Sequence, residues 1–209
     1  MADYQPIIDA LIGLDREAVL TLVKQRVEAG EDAQAILDEG LIAGMDIIGE
    51  KMENGDMFIP EVLMAAQTMA MGVEILQPHL VEDESTAKGK VVIGTVKGDL
   101  HDIGKNLVSM MMESAGLEVT DLGVDAEPAK FINAIKEKKP KIVGLSALLT
   151  TTMPMMKQTV DAIAEAGLRD SVKIMVGGAP VTQKFADEIG ADGYAADAGA
   201  ASKMAKAML

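Results

Sequence analysis

The spacing of apolar residues changes once along this chain of 209 residues, and that change limits the folds open to it. Up to about residue 81, apolar residues recur every three or four positions, which indicates amphipathic helices. From residue 90 onward, short apolar runs alternate with amphipathic segments. Strict alternation of strand and helix predicts a parallel sheet with helices on both faces. The chain is therefore expected to form two domains of different class.

The first domain, residues 1–84, is expected to be an antiparallel bundle of four helices. Residues that favour helix ends separate its apolar stripes, among them Gly13 before Asp15 and Pro60 in a first helical turn. Short connections between helices favour antiparallel neighbours. Residues 85–89 end a polar stretch without apolar pattern and are expected to form an exposed linker.

The second domain, residues 90–209, is expected to contain five strands and five helices. In open sheets of this class, ligands bind beyond the carboxyl ends of the strands. The residues just after each strand are therefore the first candidates for a site. The predicted strands are 90–96, 118–122, 142–145, 173–176 and 193–195, and the predicted helices are 103–115, 128–138, 155–166, 182–189 and 200–208.

Composition excludes several kinds of site and partner. Without cysteine there can be no disulfide, zinc–thiolate site or iron–sulfur cluster, and two histidines cannot build a three-histidine metal site. The formal net charge of −14 disfavours nucleic acid and anionic membranes as partners. The N-terminus lacks the basic start and apolar run of a signal peptide, so a cytoplasmic location is expected.

The richest polar segment follows the first predicted strand. A phosphate-binding loop would need glycines five positions apart and a hydroxyl after the lysine, whereas Gly98 and Gly104 are six apart and Asn106 follows Lys105. A phospho-receiver domain of similar fold would need an aspartate at the end of the third strand, where Ser146 stands. Both of these functions are therefore excluded.

The remaining feature of this segment is Asp99, two positions before His101. Such a carboxylate can accept a hydrogen bond from one imidazole nitrogen while the other nitrogen binds a metal. With a single histidine in place, a metal would have to be held mainly by other donors, and a macrocycle with four equatorial nitrogens meets that requirement. A solvated or capping histidine is the alternative for His101, and the other histidine, His79, is expected to be a solvated helix-end residue.

The wider spacing resembles that of the cobalamin-binding family, Asp-x-His-x-x-Gly, about 41 residues, Ser-x-Leu, about 26 to 28 residues, and Gly-Gly. This chain has Asp99-Leu-His101-Asp-Ile-Gly104, then 41 residues to Ser146-Ala-Leu148, then 28 residues to Gly177-Gly178. The resemblance implies a Rossmann-like, flavodoxin-like domain that binds cobalamin or a related corrinoid.

The resemblance also implies roles for single residues. The corrinoid would be bound base-off, with its nucleotide tail beside the sheet and His101 as the lower cobalt ligand. Asp99 and Thr152 would form a hydrogen-bond chain behind that histidine, while Ser146 and Thr150 would line the channel of the tail. Other implied contacts are made by residues of the same loops and strand ends, namely Gly98, Asp102, Ile103, Gly104, Leu148, Gly177, Gly178, Tyr194 and Ala198.

Gly177 and Gly178 would let a flat group approach the backbone at a strand end, and a simple tight turn is the alternative. In the first domain, residues 44–66 resemble the helical cap of methyl-carrying corrinoid proteins and of the matching part of methionine synthase. That resemblance implies that Phe58, Leu63 and Met64 shield the upper face of the corrinoid. Ordinary bundle core is the alternative for each of them.

The function implied is that of a methyl carrier cycling between Co(I) and methyl-Co(III). A methyltransferase specific for a methylamine, betaine, methanol or a methoxylated aromatic would load the cobalt, and nothing in the sequence selects among these. A second methyltransferase would unload it to tetrahydrofolate or coenzyme M, and an ATP-dependent reductive activase would restore oxidised cobalt. The chain is thus expected to be a carrier subunit rather than a complete enzyme.

Two alternatives share the cobalamin signature. The small subunit of an adenosylcobalamin mutase would lack the helical cap. A corrinoid-dependent sensor or regulator would need a basic DNA-binding region, whereas residues 1–89 hold 18 acids and 5 bases. The carrier is therefore preferred to both.

Overall fold

The computed structural model describes residues 3–80 and 89–209. The chain separates into two compact units, one built mainly from residues up to 86 and the other mainly from residues 87 onward. Of the predicted linker 85–89, all but Gly89 lies outside the described residues.

The first unit is helical, and its apolar stripes correspond to four helical segments. Its elements are α1 (Gln5–Ile12), α2 (Arg16–Glu28), α3 (Ala33–Ala35), a π-helical segment (Ile36–Ile42), α4 (Ala43–Glu53) and α5 (Ile59–Leu76), followed by a 3₁₀ turn (Gln77–His79). The elements from α3 to α4 are continuous and form the third segment. The wider π turns were not predicted, because a spacing of three and four residues does not distinguish them from α turns.

Helix ends in this unit follow the expected signals. The Asp15 carboxylate accepts a hydrogen bond from the Ala18 N–H at 3.0 Å and caps α2. Pro60 lies in the first turn of α5, and the Glu61 carboxylate accepts the Phe58 N–H at 2.8 Å. The apolar stripes face inward, since the largest fully buried side chains include Ile7, Leu11, Ile36, Leu41, Met45, Ile48 and Leu76.

One helical run in the described ranges, Ile59–His79, is long and apolar enough to cross a membrane by length and composition alone. Its buried positions recur every three or four residues, from Val62 to Leu76, while polar Gln67 and exposed Glu74 lie between them. It also packs against α1, α2 and α4. We therefore interpret α5 as the core helix of the bundle.

The second unit is a five-stranded parallel sheet in the order β2-β1-β3-β4-β5 with helices between the strands, which confirms the predicted fold class. The strands are β1 (Lys90–Thr95), β2 (Glu118–Asp121), β3 (Ile142–Ser146), β4 (Lys173–Gly177) and β5 (Gly193–Ala195). The helices are α6 (Ile103–Ser114), α7 (Pro128–Lys138), α8 (Met153–Glu165), α9 (Gln183–Ile189) and α10 (Ala198–Ala207), with a 3₁₀ turn at Arg169–Ser171.

Two predicted helices begin earlier than expected. Helix α8 starts at Met153 because Pro154 is tolerated in a first turn, where no N–H partner is needed. Helix α10 starts at Ala198 because the Asp197 carboxylate accepts the Ala200 N–H at 2.8 Å and caps it.

Between their end residues the central strands are apolar, because both faces of the sheet are covered. Successive residues alternate between two cores, with Val92, Val143 and Ile174 on one side and Val91, Ile142 and Met175 on the other. The first core also holds Phe131 of α7, which is fully buried. These two layers fix the strands, and hence the loops at their carboxyl ends.

Replacing Phe131 with alanine should lower the free energy of unfolding by about 3–5 kcal/mol, because a buried ring is lost and a cavity is left. Urea denaturation measures the change. Lys136→Ala, at an exposed position of the same helix, serves as the control and should change it by about 0.5 kcal/mol or less. Equal losses in the two variants would contradict the position of Phe131 in the core.

Candidate functional site

The register of the sheet aligns the separated motifs at its carboxyl edge. Thr95 of β1 pairs with Ser146 of β3, Ser146 pairs with Gly177 of β4, and Gly177 pairs with Ala195 of β5. The loops that follow these strands therefore emerge side by side. This is the edge at which open parallel sheets bind ligands.

The centre of this edge is the fully buried carboxylate of Asp99. Its Oδ1 accepts the His101 N–H at 3.1 Å and lies 2.7 Å from His101 Nδ1. Its Oδ2 accepts the Leu148 N–H at 2.8 Å, the Leu149 N–H at 3.3 Å and the Thr152 hydroxyl at 2.7 Å. The loop after β1 and the loop after β3 thus both donate hydrogen bonds to the same carboxylate.

Burial alone would raise the pKa of Asp99, but its hydrogen bonds act in the opposite direction and prevail. The Thr152 hydroxyl, the His101 ring, and the N–H groups of His101 and Leu148 together hold the pKa of Asp99 far below its ordinary value. The carboxylate is therefore ionised at neutral pH and can only accept hydrogen bonds.

The ionised carboxylate determines which nitrogen of His101 carries the proton. Because Asp99 only accepts, the Nδ1 atom of His101 must donate to it, and in the neutral form of the imidazole Nε2 then carries the lone pair. The His101 side chain is half exposed, whereas its partner is buried. This is the arrangement by which a carboxylate orients a metal-binding imidazole.

Three further contacts hold the loop that carries Asp99 and His101. The hydroxyl of buried Thr95 donates to the His101 carbonyl at 2.9 Å. The Asp125 carboxylate accepts the Gly98 N–H at 2.7 Å, and the Asp125 N–H donates to the Asp99 carbonyl at 3.0 Å. Sequence reasoning missed Thr95 and Asp125. Thr95 could have been found, because it is a hydroxyl residue within the apolar run of β1. Asp125 lies in another loop, and no sequence signal connects it with the site.

Large apolar side chains are exposed along the same loops. The exposed fractions are 72% for Leu100, 77% for Ile103, and 42% each for Leu148 and Leu149. These residues flank His101 in the sequence or bond the Asp99 carboxylate through their backbones. Clustered apolar exposure of this kind marks a surface that binds another molecule.

Gly178 is required by the packing of this chain against itself. A Cβ built on Gly178 would lie 1.9 Å from the Ala147 carbonyl oxygen, and the φ of Gly178 is +130°, which L-residues rarely adopt. A Cβ on Gly177 would lie 3.1 Å from the Ala195 carbonyl oxygen. The close neighbour of Gly178 is thus the backbone just before Leu148, in the loop after β3.

The remaining predicted contacts lie along the same edge. Ser146 is partly buried, and in the described parts of the chain its hydroxyl has no hydrogen-bond partner. Thr150 is exposed in the turn before α8, Tyr194 is partly buried in β5, and Ala198 is buried at the start of α10. Beside His101, Asp102 is partly buried, and a Cβ on Gly104 would meet nothing within 4 Å.

The predicted shield residues lie in the helical unit. Phe58 precedes α5 and is exposed, Met64 is also exposed, and Leu63 is partly buried. Phe58 and Met64 are therefore not bundle core. His79, the second histidine, is exposed in the 3₁₀ turn after α5.

The donors available around His101 restrict the kind of metal group that fits. Within residues 3–80 and 89–209, no three histidine, aspartate or glutamate side chains converge to hold a metal ion. A metal bound by Nε2 of His101 would need most of its ligands from a non-protein group. A corrin ring supplies four nitrogens and an apolar surface, and so fits both His101 and the exposed apolar residues around it.

Comparison with known proteins agrees with this geometry. Two families, both described as B12 binding domains, match residues 89–202 and residues 4–77. Dimethylamine corrinoid protein 1 of Methanosarcina acetivorans is 44% identical over 98% of this chain and 96% of its own length. The chain belongs to the B12-binding corrinoid proteins.

Two further relatives support this assignment. Trimethylamine corrinoid protein 1 of the same organism is 44% identical to this corrinoid protein over 93% of each chain. A chain of the methanol:cobalamin methyltransferase complex from Methanosarcina barkeri matches its structure with a TM-score of 0.84 and 32% identity, covering 97% of this chain and 78% of that one.

Asp99→Asn should lower the free energy of unfolding of the cofactor-free corrinoid protein by about 2–4 kcal/mol at pH 7, because charge-assisted hydrogen bonds are lost. The stabilisation that comes from the depressed pKa of Asp99 is complete above the ordinary carboxyl pKa of about 4 and declines as the pH falls from there toward the folded-state pKa. The difference in stability between the wild type and the variant should therefore narrow below pH 4. Urea denaturation from pH 7 to pH 3 measures both effects.

The control for this experiment is Asp161→Asn in the exposed Lys157–Asp161 pair, which should change stability little at any pH. A difference between the wild type and Asp99→Asn that stays constant down to pH 3 would contradict the depressed pKa.

Gly178→Ala should lower the free energy of unfolding by more than about 3 kcal/mol, because an unfavourable φ is combined with a clash against the Ala147 carbonyl. Gly190→Ala is the matched control, since its φ is +75° and its Cβ would meet nothing within 4 Å. That variant should lose only about 1 kcal/mol. Equal losses measured by urea denaturation would exclude the close backbone approach at Gly178.

Proposed function

We propose that this corrinoid protein is a methyl carrier that binds cobalamin or a related corrinoid base-off, with Nε2 of His101 as the lower cobalt ligand. The observation that carries the proposal is the half-exposed imidazole of His101, fixed through Nδ1 by the buried Asp99 carboxylate. When bound, the corrinoid supplies a cobalt centre that accepts a methyl group from a donor and transfers it to an acceptor.

The chain's own residues hold and orient the imidazole of His101. Asp99 accepts the Nδ1–H of His101, and the N–H groups of Leu148 and Leu149 keep that carboxylate in place. The Thr152 hydroxyl has one proton and two acceptors in reach, Asp99 Oδ2 at 2.7 Å and the Leu149 carbonyl at 2.9 Å. Its donation to Asp99 stabilises the ionised carboxylate that accepts the Nδ1–H of His101, so Thr152 acts as a positioning residue.

We assign the nucleotide tail to the carboxyl ends of β3, β4 and β5. The register of these strands supports the assignment, because Ser146 pairs with Gly177 and Gly177 with Ala195. We assign the hydroxyls of Ser146 and Thr150 to hydrogen bonds with the tail, and Tyr194 of β5 and Ala198, the first residue of α10, to further contacts with it. Gly98, Asp102, Ile103, Gly104 and Leu148 are assigned to the ring side.

The helical unit is assigned a shielding role. Phe58, just before α5, and Met64, in the second turn of α5, expose apolar side chains, and Leu63 precedes Met64 in that turn. Exposed apolar side chains are suited to covering an apolar group. We propose that these three residues shield the upper face of the corrinoid.

The partners follow from the carrier role. The relatives named for dimethylamine and trimethylamine support a methylamine-specific methyltransferase as the loading enzyme. The methanol:cobalamin methyltransferase complex supports direct binding between a methyltransferase and a chain of this kind. We further propose a second methyltransferase acting on tetrahydrofolate or coenzyme M, an ATP-dependent reductive activase and a cytoplasmic location.

The test is reconstitution with hydroxocobalamin, reduction to the Co(II) state and electron paramagnetic resonance of protein labelled with ¹⁵N-histidine. The wild type should bind the corrinoid and show splitting from one ¹⁵N nucleus, because a histidine nitrogen is the axial ligand. His101→Ala should lose that splitting. His79→Ala changes the other of the two histidines and should keep it.

Several results would overturn the proposal. A wild-type protein that binds no corrinoid, or binds it without ¹⁵N splitting, would exclude a histidine-ligated corrinoid. Splitting that persists in His101→Ala or disappears in His79→Ala would exclude His101 as the ligand.

A further inference from the structure

A buried lysine lies one helical turn beyond the His101 loop. The side chain of Lys105, in the first turn of α6, is only 1% exposed. Lysine is almost never fully buried unless its charge is paired, because removing an ammonium from water is costly. The groups that bond the ammonium of Lys105 therefore indicate the role of this side chain.

Lys105 is bonded to the end of a neighbouring strand. Its Nζ donates to the carboxylate of Asp121, the last residue of β2, and to Asn106 Oδ1 at 2.6 Å. The Asp121 side chain is 39% exposed, and its Oδ1 accepts the Gly123 N–H at 2.8 Å. The ion pair thus ties the first turn of α6 to the carboxyl end of β2.

The residues that follow β2 also bond the loop that carries His101. The Gly123 carbonyl accepts the Thr95 N–H at 2.9 Å, and Asp125 bonds both Gly98 and Asp99. The loop is therefore held by Leu148, Leu149 and Thr152 on one side and by the segment from Asp121 to Asp125 on the other. Lys105 joins the helical end of the loop to this second side.

Movement of the first turn of α6 would reach His101 directly. The Asn106 N–H donates to the Asp102 carbonyl at 2.7 Å, so the turn begins one residue after His101. Four residues of helix rise only about 6 Å, which leaves little chain to absorb a shift of that turn. A shift would act on the bond between His101 Nδ1 and Asp99.

We propose that the ion pair between buried Lys105 and partly exposed Asp121 positions His101 for axial ligation of the corrinoid cobalt. This inference rests on the proposed function, because it concerns the same imidazole. Lys105 and Asp121 are positioning residues: they act through the first turn of α6 and through the segment 121–125.

The test uses Lys105→Met and Asp121→Asn in the full chain, loaded with hydroxocobalamin and reduced to Co(II). The ¹⁵N-histidine splitting gives the ratio of His-ligated to His-free cobalt at one fixed pH and at a temperature below unfolding. Both variants should lower that ratio about tenfold or more relative to wild type, the usual scale for residues that orient a metal ligand. Lys105→Arg keeps the charge and should restore most of the ligation.

Arg169→Met is the matched control. The Arg169–Asp192 pair is also partly buried, with a separation of 2.8 Å, but it precedes β4 and β5 and so lies at the amino edge of the sheet. Its loss should lower the unfolding temperature of the cofactor-free protein without changing the ratio of ligated cobalt. This control separates a positioning role from a general loss of stability.

The outcomes distinguish the inference from the function on which it rests. A wild type without ¹⁵N splitting would overturn the proposed function and the inference with it. A wild type with full splitting, together with unchanged ratios in Lys105→Met and Asp121→Asn, would overturn the inference alone. An equal fall in Arg169→Met would also overturn it.

Discussion

The site depends on a single buried negative charge. A carboxylate removed from water is tolerated only when several donors satisfy it, and Asp99 receives donors from its own loop and from the loop after β3. Those donors are in reach only because β1 and β3 are paired neighbours. The two apolar cores that fix the strands therefore also fix the charge, and the charge fixes the tautomer of His101. The chemistry of the site is in this sense a consequence of the packing of the sheet.

Sequence patterns predicted the elements well where a local signal exists. Alternating apolar runs, the cap at Asp15 and the proline at position 60 are all read from neighbouring residues, and each corresponds to an observed element. The π turns at Ile36–Ile42 have no such signal. The motif spacing also predicted that Asp99, Ser146 and Gly177 lie at one edge of the sheet, because the carboxyl ends of parallel strands lie on the same side.

What the sequence could not provide are contacts between loops. The bond from Asp125 to the Asp99 loop depends on how the β2–α7 loop folds, and no sequence pattern near residue 125 predicts it.

The burial of Lys105 was even less predictable from the sequence. Lysine is expected at the surface, and beside Gly104 it suggests an incomplete phosphate loop, yet its side chain is buried against Asp121. Burial of a charged group follows from long-range packing, which composition and spacing do not encode.

The exposed leucines and isoleucine beside His101 bear on how such a protein keeps its cofactor. Apolar contact is nondirectional and scales with area, so its strength does not depend on which atoms ligate a metal. A group held mainly by Leu100, Ile103, Leu148 and Leu149 would remain attached while the bond to His101 formed and broke. Retention and ligation are then separate properties of the site. Such separation would suit the proposed methyl carrier, because the methyl group could leave while the corrinoid stays bound.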